Sequence, residues 1–83
     1  MTAFETTARA AKARKFIVYD GRAISGDTDR ASVYCTEGTL RRAKGSAFEF
    51  GESAIYSYEV GPDNVLTDER LECVTDPQGR VIR

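Results

Sequence analysis

Past an N-terminal arm in which Phe4, Ala8 and Ala11 make a weak helical stripe, only one stretch of this chain repeats its apolar residues at helical spacing. Leu40, Ala43, Ala47 and Phe50 form a single stripe when wound at 3.6 residues per turn. Everywhere else the apolar residues sit in short runs or alternate with polar ones, the pattern of strands. A chain of 83 residues with one helical stripe and several strand signals has one economical solution, a helix laid across one antiparallel sheet. The expected class is therefore α+β, with a sheet of four to five strands, a helix on one face and the order ββαββ. The opposite face is expected to stand open to solvent or a partner.

Phe16-Ile17-Val18-Tyr19-Asp20 is the clearest strand and Gly21 stops it. Ala23–Ser25 and Ser32–Cys35 flank the polar stretch Gly26-Asp27-Thr28-Asp29, which reads as a hairpin whose first strand bends at Gly21. Thr36 is the expected N-cap of the helix, with Glu37 at its positive end and Gly51 just past its C-terminus. Gly45 weakens the helix by about 1 kcal/mol relative to Ala and would let it sit close on the sheet. From Ser53 to Val60, Ala54, Tyr56, Tyr58 and Val60 share one face, with Ile55, Ser57 and Glu59 on the other. Gly61-Pro62-Asp63-Asn64 breaks the chain and Leu71–Val74 forms a further strand. Asp76-Pro77-Gln78-Gly79 fits a type I turn leading to a last short strand at Val81-Ile82. Residues 1–15 read as a basic, Ala-rich arm or frayed helix, and residues 16–83 as one small domain.

The charges are uneven. Residues 1–45 carry nine Lys/Arg and five Asp/Glu, while residues 46–83 carry three and eight. The longest apolar run, Phe16–Tyr19, is far short of the roughly 20 residues a membrane helix needs, and the first residues lack a signal-peptide pattern, so the cytoplasm is the expected location. Cys35 and Cys73 lie among strand residues and read as buried thiols.

The chain contains no histidine and no tryptophan. Loss of His removes the commonest general base and a common metal ligand, and two cysteines do not make a zinc site. Asp27-Thr28-Asp29 lacks the remainder of a calcium loop and reads as a turn, and Gly21 to Gly26 lacks the Lys and Ser/Thr of a phosphate loop. Asp68-Glu69 reads as an ordinary solvated acidic pair. No enzymatic activity and no cofactor or metal are expected. Lys44-Gly45-Ser46-Ala47-Phe48 partly matches an RNA-binding consensus, but it falls in the helical stretch and lacks aromatics where Ser46 and Gly51 stand.

The strand pair, the helix entry Thr39-Leu40-Arg41-Arg42-Ala43-Lys44 and the strand Ile55-Tyr56-Ser57-Tyr58 give a layout, over residues 16–75, that resembles small phage-encoded inhibitor proteins of the anti-CRISPR kind. That resemblance implies a host-cell inhibitor without catalytic residues, directed at a nucleic-acid-handling defence complex. Tyr and Arg are the residue types enriched at interface hot spots. The expected partner-binding residues are therefore Tyr19, Tyr34, Arg41, Arg42, Lys44, Tyr56 and Tyr58, with a protein as partner. The alternative is a nucleic-acid accessory protein using Arg9, Lys12, Arg14 and Lys15 of the arm with the helix cations. Self-association through a strand edge is open under either reading.

Overall fold

The computed structural model describes residues 14–83, so Arg9 and Lys12 and most of the arm lie outside the described residues. Four strands form one antiparallel sheet: β1 (Lys15–Asp20), β2 (Val33–Glu37), β3 (Ser53–Val60) and β4 (Leu66–Thr75), in the order β2-β1-β3-β4. One α-helix, α1 (Leu40–Phe50), crosses the sheet and packs against β1, β2 and β3. The expected α+β fold with a helix on one sheet face is thus what the chain adopts. Lys15, read as part of the arm, is already the first residue of β1.

Alternation decides which residues meet the helix. Val18, Ile55 and Cys73 are cross-strand neighbours and pack with Ala43 and Ala47 of α1, with Phe16, Cys35 and Leu40 closing the margins. Two alanines at the contact let the helix lie near the sheet. The opposite face holds Ile17, Tyr19, Ala54, Tyr56 and Tyr58, covered in part by Ala23, Ile24 and Ala31 from the β1–β2 connection. This face was expected to be open, yet its tyrosines are buried. Among the described residues, large flat rings fill it without a second α-helix.

The β1–β2 connection explains that cover. Gly21–Ser25 forms a 3₁₀ turn rather than the expected continuation of the strand. The Asp20 carboxylate accepts from the backbone amides of Arg22 and Ser32, which curls the chain at once and also holds that carboxyl below its ordinary range. Gly26 ends the turn in the left-handed conformation.

The helix begins later than its sequence suggests. Thr36 pairs with Ile17 inside β2, and the N-cap is Thr39, whose hydroxyl accepts from the Arg42 amide at 3.1 Å. Glu37 is therefore a strand residue. Gly45 faces open space instead of the sheet, since a Cβ there would meet nothing within 4 Å. At the other end β4 starts five residues before Leu71, and Asp68 adopts a positive φ of 55° within it. The final turn forms as expected: the Gly79 amide donates to Asp76 O, Gly79 takes φ 82°, and Val81 bridges to Thr75.

Candidate functional site

The seven residues expected to bind a partner fall into three separate places. Tyr19, Tyr56 and Tyr58 are core residues of the face away from α1. Tyr19 and Tyr56 meet edge to face with ring centroids 5.5 Å apart. The Tyr56 hydroxyl donates to Ala23 O at 2.9 Å, and Tyr19 donates to Glu69 Oε2 at 2.7 Å. Burial, the Glu69 hydrogen bond and the Glu69 charge push the Tyr19 phenol well above its ordinary value. Tyr58 is only 6% exposed. None of the three offers a surface anchor, because the β1–β2 connection and the neighbouring rings occupy their faces.

The other four residues divide along the two flanks of α1. Helical spacing places Arg42, Ser46, Glu49 and Phe50 on one side of the Ala43–Ala47 contact, and Arg41, Lys44 and Phe48 on the other. The first flank runs beside β2: Ser46 Oγ donates to Glu37 Oε2 at 2.8 Å, and Phe50 stacks on Tyr34 with centroids 4.5 Å apart. A bulge makes that stack. Val18 pairs with Cys35 and Tyr19 with Val33, so Tyr34 is the extra residue and turns toward the helix side. Phe50, expected to close the core stripe, instead lies at its edge and is 46% exposed.

The second flank looks toward β4. The Lys44 charge is felt at the Cys73 thiol, and the Phe48 backbone lies under Gly79, where a Cβ would come within 2.4 Å of Phe48 O. Phe48 itself is 64% exposed. Arg41 and Lys44 make no ion pair among the described residues. Neither phenylalanine is among the expected partner-binding residues: the sequence reads Phe50 as core and Phe48 only as part of the RNA-binding match. The signal for Phe48 was present, since it lies one residue off the Leu40–Ala43–Ala47 stripe, about 100° around the helix.

The basic arm fares differently. Lys15 is exposed on β1. Arg14 is not available to a phosphate, because its guanidinium is saturated by the sheet. It donates to Ser57 Oγ at 2.8 Å and Ser57 O at 3.0 Å, to Asp68 Oδ2 at 3.0 Å and to Asp68 O, and reaches Glu59 at 3.5 Å. Arg70 and Arg14 together hold the Asp68 carboxyl below its ordinary range. Both cysteines are free, and burial raises both thiols. They stand on β2 and β4, three strand spacings or about 14 Å apart. That exceeds the roughly 7 Å Cα separation a disulfide tolerates.

Among the described residues no three His, Cys, Asp or Glu side chains come together to hold a metal, and no helix is long and apolar enough to cross a membrane. Every buried side-chain polar atom among them has a partner. Fold and surface together define a small open-sheet α+β domain whose helix α1 presents two chemically different flanks. No family model matches the chain, and neither a curated protein nor a solved structure is significantly similar to it.

Proposed function

We propose that this domain is a non-enzymatic protein-binding module that docks an acidic protein surface through the α1 flank of Arg41, Lys44 and Phe48. The exposure of Phe48 beside two cations carries the reading. An exposed aromatic ring beside an Arg is the composition of an interface anchor, and Lys44 adds positive charge for an acidic partner. The placement of the cations adds to it. No acidic residue stands in the first turn of α1, and Arg41 and Arg42 occupy it at the positive end of the helix, with Lys44 just beyond. Each such charge costs about 0.3–1 kcal/mol against the helix dipole, a penalty an acidic partner would relieve. The chain also lacks histidine, the commonest general base. The resemblance in layout to small phage-encoded inhibitors makes a component of a nucleic-acid-handling defence complex the partner to try first.

The test compares wild type with the triple variant Arg41→Ala/Lys44→Ala/Phe48→Ala, each immobilised and exposed to the same lysate or candidate complex. All three side chains are exposed, so circular dichroism should be unchanged. Partners retained by wild type should be lost by the variant. An identical set of partners on both would remove this flank from consideration. Anisotropy with labelled duplex DNA, single-stranded DNA and RNA at low and physiological salt checks the phosphate alternative. Binding that falls steeply with salt would replace the acidic protein by a nucleic acid.

A further inference from the structure

β2 is an edge strand, and among the described residues no strand lies beyond it. The strand is short and bulged at Tyr34, but its sequence, Val33 to Glu37, has neither the Lys nor the Pro that also blunts an edge. Val33 is 52% and Tyr34 38% exposed, so apolar surface collects there beside unpaired backbone groups. The other edge is treated differently. β4 carries Asp68 at positive φ with Glu69 and Glu72 nearby in sequence, and its last residues are bridged by Val81–Arg83.

Along β2 runs the α1 flank of Arg42, Ser46, Glu49 and Phe50. Because α1 returns antiparallel to β2, Ser46 stands by Glu37 and Phe50 by Tyr34, with Arg42 one turn further out. The spacing of this flank is its own complement. A twofold axis normal to the sheet at Thr36 sets Thr36 against Thr36 and Ser46 toward Ser46 of a second copy. The same axis brings Arg42 to the Glu49 and Phe50 of that copy, and Glu49 and Phe50 to its Arg42. One cation therefore meets one carboxylate and one aromatic face, twice.

We infer that the occupant of this edge is a second copy of the chain. The two β2 strands pair antiparallel into one eight-stranded sheet, with both helices on the same face, and the Arg42 to Glu49 contacts set the register. The flank of Arg41, Lys44 and Phe48 faces away from the axis, so dimerisation leaves the proposed partner surface open.

Sedimentation equilibrium and light scattering on the full chain over about 1–200 μM test this. Wild type should approach twice the chain mass. Arg42→Glu and Glu49→Arg each bring like charges together across the axis, and each should weaken the dimer by about tenfold or more. The double variant Arg42→Glu/Glu49→Arg restores opposite charges and should recover dimerisation to within about threefold of wild type. Both positions are exposed, and circular dichroism confirms that each variant is folded. A wild type that stays monomeric throughout the range overturns the proposal, as does a dimer indifferent to both single changes or not rescued by the double one. Partner capture through Phe48 is scored separately, so failure of either idea leaves the other intact.

Discussion

The two faces of the sheet are closed by opposite means. On the helix face a separate element brings small residues, Ala43 and Ala47, down onto Val18 and Ile55. On the other face the sheet supplies its own bulk through Tyr19, Tyr56 and Tyr58, and a short connection with Ala23 and Ala31 fills in around them. The first face is apolar throughout its centre. The second has hydroxyls that must each find a partner, and for Tyr19 and Tyr56 those are Glu69 and Ala23 O. A tyrosine on a strand is therefore no sign of a binding surface when a connection of about a dozen residues can fold back over it. In this domain the surface chemistry falls to the helix.

Weakening each face in turn should have the largest effects on stability. Ile55→Ala empties a fully buried position under α1 and should cost about 2–5 kcal/mol. That is a large part of the roughly 5–15 kcal/mol that holds a small domain together. Tyr56→Phe keeps the ring and removes only the hydroxyl; Ala23 O loses one of its two donors and keeps the Gly26 amide, so the change should cost about 0.5–1.5 kcal/mol. Urea unfolding with matched slopes measures both. If Tyr56→Phe proved the more damaging, the cover by the β1–β2 connection would be the limiting part of the fold.

A smaller effect separates the faces by pH. Tyr19 and Tyr56 are both held protonated in the folded domain, mainly by burial and next by Glu69. An unfolded tyrosine ionises near 10, so the folded state binds more protons above that pH. The stability that these phenols contribute is complete below about pH 10 and is lost as pH rises further. The raised thiols of Cys35 and Cys73 add a fall of the same sign on the helix face, starting near their ordinary value of 9.0. Tyr19→Phe removes one phenol and leaves the thiols, so its urea midpoint should fall less between pH 8 and 11 than that of wild type. Equal falls would mean that Tyr19 ionises without disturbing the fold.

What the sequence showed of this architecture was what local period can show. The strand at Phe16, the helix through Leu40, Ala43 and Ala47, the alternation from Ser53 and the turn at Asp76 are written in neighbouring residues. The N-cap was not, because Thr36 and Thr39 are equally good caps and only pairing of Thr36 with Ile17 chooses between them. The first half of β4 was hidden too, since Thr67-Asp68-Glu69-Arg70 has no apolar alternation and is held by pairing with β3 and the Arg14 guanidinium. For the site, Arg41, Arg42 and Lys44 were legible as exposed helix cations, but their division between two flanks depends on where the helix rests. The burial of Tyr19, Tyr56 and Tyr58 depends on a connection distant in sequence from Tyr56 and Tyr58, which no local pattern encodes.

The smallest expected effect concerns the helix alone. Gly45 lies at the crest of α1, between the two flanks and away from the sheet. Glycine in a helix interior is less favourable than alanine by about 0.5–1 kcal/mol, because the unfolded chain gives up more freedom. A Cβ at this position meets nothing, so Gly45→Ala should raise stability by about that amount without altering either face. Chemical denaturation would show a higher midpoint with an unchanged slope. The same variant tests whether the two faces are independent. It strengthens the cover of one face only, so Ile55→Ala and Tyr56→Phe made in its background should each keep their original cost if the faces are independent. A loss that changes by more than about 0.5 kcal/mol would show that the helix and the tyrosine layer are coupled through the single sheet between them.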